Sequence, residues 1–247
     1  MRYFLELSYN GKAYHGWQNQ PNAISVQEVL EKALATLLRK STEIVGAGRT
    51  DAGVHALQMF AHFDNETVLE ANQLKHQLNS FLPRDIAIHD IFAVENDAHA
   101  RYDAISRTYF YRISLRKDPF NFDRAYQINT DLDIDLMNKA SKLLFRYKDF
   151  ECFSKTNTDV NTFNCKIMRA EWAQHEKELQ FTIQADRFLR NMVRAVAGTL
   201  IGIGEGKIDL EGLHTIIKSK NRSEAGYSVP AHGLYLSEIE YPEHIKI

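Results

Sequence analysis

Two-residue alternation and helical spacing of apolar residues succeed one another along this chain in an order that occurs twice, and that order narrows the fold more than any single motif. Arg2 to Tyr9 alternates as a half-buried strand does, and the turn pair Asn10-Gly11 follows. Ser25-Val-Gln-Glu28 has capping-box spacing. Val26, Val29, Leu30, Ala33, Leu34, Leu37 and Leu38 then recur at helical spacing and predict a helix of about three turns. A short strand from Ile44 to Ala47 runs into a glycine-punctuated loop, after which Leu57, Met59, Ala61 and Phe63 share one face of another strand. A helix around Glu70 to Ser80 and a strand from Ile86 to Val94 close the first half. The second half repeats the order more loosely, with strands Arg107 to Leu115, Ile167 to Gln174, Leu179 to Ala185 and Leu234 to Tyr241, and helices Ile134 to Phe145, Phe188 to Ile203 and Leu210 to Ser219. Hairpin-like neighbours with segregated helices predict an α+β fold on a mostly antiparallel sheet, divided into residues 1–103 and 104–247.

Composition excludes several classes. Of 247 residues, 44% are hydrophobic and 25% charged, an ordinary globular balance, and no run approaches the roughly 18 apolar residues of a membrane helix. Met1 to Leu7 lacks an apolar stretch with a cleavage site, so a cytoplasmic protein with no membrane partner is expected. Cys152 and Cys165, far apart, read as two core thiols rather than a disulfide framework. The ten histidines show no H-x-x-x-H spacing, so none is assigned to a metal. A net charge of −2 gives no global attraction to nucleic acid, and any polyanion must be met by local patches. The charge is uneven: nine Lys/Arg against thirteen Asp/Glu up to Asp103, then twenty-one against nineteen. The second half is the expected polyanion face.

The stretch Gly46-Ala-Gly48-Arg-Thr-Asp51-Ala-Gly53-Val-His55 is the most unusual, with glycines around an arginine, a threonine and an aspartate. It is no Rossmann fingerprint, because Asp51 stands where the third glycine belongs and no βαβ unit surrounds it. Gly202-Ile-Gly204-Glu-Gly206-Lys207 is no P-loop either; Ile208 follows the lysine, and helix termination is the better reading. A carboxylate on a rigid loop beside Arg49 is favoured in its ionised form and can act as nucleophile or base. From spacing alone, Asp51 reads equally as a loop cap.

The run Gly48 to His55 resembles the catalytic motif of the tRNA pseudouridine synthase A family. The likeness continues through Tyr9-Asn-Gly11-Lys-Ala-Tyr14-His-Gly16-Trp17-Gln18-Asn-Gln20, Ser25-Val-Gln27, His99-Ala-Arg101, Arg107-Thr-Tyr109-Phe-Tyr111, Phe188-Leu-Arg-Asn-Met192-Val-Arg194 and Gly233-Leu234-Tyr-Leu236, in the family's order and over nearly the whole chain. The resemblance implies two related α+β subdomains sharing a sheet around a central catalytic cleft, acting as a homodimer. It also implies isomerisation of uridine to pseudouridine at positions 38, 39 and 40 of the tRNA anticodon stem-loop, without cofactor or metal. By motif match Asp51 is the nucleophile, Arg49 and Arg194 are its arginine partners, and Tyr109 contacts the target base. Whether Asp51 attacks C1′, attacks C6 or removes the C2′ proton stays open.

Other residues read two ways. Period two puts Arg107, Tyr109 and Tyr111 on one strand face, and Tyr109 is either a half-buried strand aromatic or a stacking platform for a flipped base. Arg187, Arg190 and Arg194 lie within about 60° on a helical wheel, opposite Met192, Val196, Thr199 and Ile203, and make a stripe that is either solvated or phosphate-binding. Lys218, Lys220 and Arg222 read as a solvated helix end, Trp17 as core, and His55 as a support for the loop. Asn10 and Cys152, with the Thr162-Phe-Asn-Cys165 segment, depart from the family pattern and bear on packing and substrate contacts. The rivals are a non-catalytic RNA-binding protein on a ferredoxin-like platform, which lacks its RNP1 pattern here, and a pseudouridine synthase of another RNA class.

Overall fold

A computed structural model describes residues 1–156, 158 and 160–246 and divides the chain into two compact units, Met1–Ser106 with the segment from Tyr235 on, and Arg107–Leu234. The expected division at residues 103 and 104 differs from this by the fate of the C-terminal strand, which closes back onto the first unit.

In the first unit, strand β1 (Arg2–Tyr9) lies between β3 (His55–Asp64) and β4 (Ile86–Val94), antiparallel to both. The short β2 (Val45–Gly46) pairs antiparallel with β3, and β9 (Leu234–Glu240) joins β3 in parallel, with His55 opposite Tyr235. Helices α1 (Val26–Leu38) and α2 (Ala71–Phe81) fall where the periodicity predicts them. Ser25 accepts the amide of Glu28, as a capping box requires. Two expectations change. Tyr3, Phe4 and Leu5 are buried in succession, so this end of β1 is covered on both faces, one by the aromatic cluster of Phe4, Phe60, Phe92 and Tyr241. Leu57 is 51% exposed although Met59, Ala61 and Phe63 are buried. Between Leu7/Met59 and Tyr9/Ala56 the β3 strand carries one extra residue, and that bulge throws Leu57 out of phase.

In the second unit, β8 (Glu178–Ala185) lies between β5 (Ser106–Ser114) and β7 (Ile167–His175), antiparallel to both, while β6 (Tyr126–Gln127) adds to β5 in parallel. Helices α3 (Ile134–Leu143) and α5 (Leu210–Ser219) are capped by Asp133 and Asp209, whose side chains accept the amides of Leu136 and Gly212. Helix α4 (Met192–Gly204) is the core of this unit: of its thirteen residues every one but Arg194 is buried. It ends at the glycine-rich Gly202–Gly206 stretch, with Gly206 at φ 72°. Among the described residues no helix is long and apolar enough to cross a membrane.

Candidate active site

The Asp51 loop is seated by the segment that precedes α1. Ala47 donates to the Phe60 carbonyl (2.8 Å), Trp17 and Gly53 amides bond Thr50 and Tyr14 carbonyls (3.4 and 3.2 Å), and Val54 closes a turn onto Asp51 O (3.2 Å). The Tyr9 and Thr50 hydroxyls meet at 2.9 Å. Three glycines of the seat are required by space. A Cβ on Gly11 would lie 1.9 Å from Val54 O, one on Gly16 2.2 Å from Thr50 O, and one on Gly46 2.2 Å from Nε1 of the buried Trp17. Tyr14 is anchored by donating to Asp85 Oδ1 (2.7 Å), and burial with that bond pushes its hydroxyl pKa up. His55 supports the loop as expected: Nδ1 accepts the Gly11 amide (3.1 Å), and the ring stacks on Tyr235 at 4.6 Å. Asn10 keeps the capping function an aspartate would have, its Oδ1 accepting the Lys12 amide at 3.1 Å.

On this seat Asp51 is half-buried and Arg49 exposed. Arg49 forms no ion pair among the described residues, so the Arg49–Asp51 pairing expected from their adjacency is not formed.

The second unit carries the other site residues. Arg107 donates to the Asp186 carbonyl at 2.9 Å, and Tyr109, half-buried two residues on, meets Phe188 edge to face at 5.2 Å. Tyr111 is fully buried and donates to the Pro230 carbonyl at 2.9 Å. The arginine stripe, however, is not a helix face. Asn191 is left-handed at φ 67°, so α4 begins at Met192 rather than Phe188, and residues 186–191 are non-helical. Arg187 is half-buried where Asp186 Oδ1 accepts the amides of Arg187 and Lys166, and Arg190 is exposed on a turn. Only Arg194 is on the helix, in its first turn, with Nε donating to Val229 O at 2.7 Å. The face expected opposite the stripe is part of a helix buried all round.

The rings of His62 and His99 meet at 4.7 Å, a pairing that residue spacing does not signal. His62 Nδ1 accepts the Ala100 amide (3.1 Å), and desolvation, reinforced by Arg2 and His99, lowers its pKa to about 4. Only the His99-Ala-Arg101 motif hinted at this turn. Cys152 and Cys165 are free, buried thiols, each pushed up to about 12 by burial. Among the described residues no group of three or more His, Cys, Asp or Glu side chains could hold a metal ion.

A half-buried carboxylate on a space-determined glycine loop thus stands in an α+β chain that also presents a half-buried tyrosine and a half-buried arginine on a core helix. A family model described as tRNA pseudouridine synthase matches residues 7–103 and 140–242. The chain is 54% identical over 246 residues to tRNA pseudouridine synthase A of Bacteroides fragilis, covering 99% of this chain and 98% of that protein. It is 51% identical to the protein of that name from Parabacteroides distasonis (99% and 97% covered) and 38% identical to that of Bacillus licheniformis (98% and 99%). The chain belongs to the tRNA pseudouridine synthase family.

Proposed function

We propose that this chain is an isomerase that converts uridine to pseudouridine in tRNA, at positions 38, 39 and 40 of the anticodon stem-loop. In that reaction the N1–C1′ bond breaks, the uracil turns, C5 bonds to C1′, and the proton lost from C5 is balanced by one gained at N1. Such chemistry needs a group that engages the nucleotide while the detached base stays bound. Asp51 is that group, and the observation that supports it is the loop's seat, where three glycines and Trp17 fix the backbone on either side of the carboxylate.

Extruding a paired uridine costs a few kcal/mol, of which stacking on Tyr109 returns about 1–3 kcal/mol. Arg194 and Arg49 stabilise charge developing at the reacting nucleotide, and Arg107, Arg187 and Arg190 contact phosphates. The enzyme works as a homodimer in the cytoplasm, without cofactor or metal. Neither a non-catalytic RNA-binding platform nor another RNA class finds support among the matches.

The test is tritium release from anticodon stem-loop transcripts in which 5-tritiated uridine stands only at position 38, 39 or 40. Release from each transcript is the expected result. Release only from uridines elsewhere in tRNA, or only from another RNA, would replace the substrate assignment.

A further inference from the structure

Sequence position puts Arg222 at a solvated helix end, together with Lys218 and Lys220. Lys220 does face outward, paired with Asp149 at 2.6 Å. Arg222 instead turns back, half-buried, onto the chain that follows it: Nη1 donates to Gly226 O (3.1 Å) and Nη2 to Ser228 Oγ (2.8 Å). The same Ser228 oxygen accepts Asn191 Nδ2 at 2.6 Å, which ties residues 225–229 to the residue that immediately precedes α4.

This strap runs along α4 in close contact. The Gly226 amide donates to Thr199 Oγ1 (2.8 Å), and a Cβ on Gly198 would meet Tyr227 O at 1.9 Å. At its end, buried Val229 is doubly joined to Arg194: its amide donates to Arg194 O (3.2 Å), and its carbonyl accepts Arg194 Nε (2.7 Å). Pro230 O, the next carbonyl, receives the Tyr111 hydroxyl. An arginine reaches substrate through its terminal nitrogens. The Nε bond sets the plane in which they lie, and the position of that bond depends on the strap.

We infer that Arg222 is a positioning residue for Arg194, acting through the 225–229 strap; this rests on the role given to Arg194 above. A rigid guanidinium fork bridging a carbonyl and a hydroxyl fixes the strap in two directions, which a lysine cannot reproduce. Without it the Val229 carbonyl drifts, and displacement of a reacting group by about 1 Å costs up to about 100-fold in rate.

The experiment is a double-mutant cycle in single-turnover pseudouridine formation, with tRNA affinity measured alongside. Arg222→Gln is expected to slow the chemical step about ten- to a hundredfold, with tRNA Kd within threefold of wild type, and to add less than twofold to the loss already caused by Arg194→Gln. Ser228→Ala, a milder cut of the same link, is expected to give a smaller loss that likewise vanishes in the Arg194→Gln background, and it carries the test if Arg222→Gln does not fold. Losses that multiply across the cycle, or an Arg222→Gln rate within threefold of wild type, would overturn the inference while leaving Arg194 in its role. An Arg194→Gln enzyme of wild-type rate would instead overturn that role, and the inference with it.

Discussion

Gly16 and Gly46 show how the Asp51 loop is fixed by what its neighbours leave out. Gly16, at φ +90°, lies against the Thr50 carbonyl, and Gly46 lies under the Trp17 indole, whereas a Cβ on Gly48 would meet nothing within 4 Å. Gly16→Ala is therefore expected to lower stability by about 2–4 kcal/mol through strain and overpacking, while Gly48→Ala stays within about 0.5 kcal/mol. Urea midpoints of the two variants check this; equal midpoints would contradict it. His62 yields a second expectation. Its folded pKa, about 4, lies below its ordinary 6.5, so the neutral ring's contribution is complete above about pH 6.5 and is lost as pH falls toward 4. The groups facing it are Arg2, Asp64, His99 and Asp103. His62→Gln should flatten the loss of stability across that window, by an amount on the order of 3 kcal/mol. An unchanged slope in urea titrations at pH 7, 6, 5 and 4 would count against it.

At the scale of elements, local pattern was legible wherever a local device enforces it. The box at Ser25 and the aspartates at 133 and 209 start helices at the residues that the spacing predicts. Asp209→Ala is expected to cost about 1 kcal/mol, read from thermal unfolding. The pattern misled where a single backbone conformation intervened. Left-handed Asn191 delays α4 by four residues and dissolves the arginine stripe, and the β3 bulge turns Leu57 outward. Neither leaves a periodic trace. The candidate site was legible in the same measure: Asp51 and its glycine loop stand out in the sequence, but the bonds Arg222 makes to residues 226 and 228 do not, because nothing in residue type separates an inward arginine from a solvated one.

The whole chain is not two consecutive halves, since β9 returns to pair with β3. Sequence order could not reveal this, because the pairing of Tyr235 with His55 spans most of the chain and leaves no local signal. A chain ending at Gly233 is expected to lose protection in amide exchange at His55 and Ala56, residues that flank the Asp51 loop; unchanged protection would contradict the pairing. With a net charge of only −2, the proposed binding of tRNA falls to local basic patches. Binding should fall about ten- to a hundredfold between 50 and 200 mM salt, and Arg190→Gln should lower the salt slope by about one. A slope identical to wild type would remove Arg190 from the phosphate contacts.

The most direct measurement compares Asp51→Ala with the wild-type enzyme for tritium release from tRNA transcripts carrying 5-tritiated uridine, with tRNA binding followed in parallel. A nucleophile or base at this position accounts for more than about 5 kcal/mol of barrier lowering, so a loss of nearly four decades in rate with tRNA binding retained is expected. A variant within tenfold of wild type would show that the carboxylate on this loop does not carry the reaction.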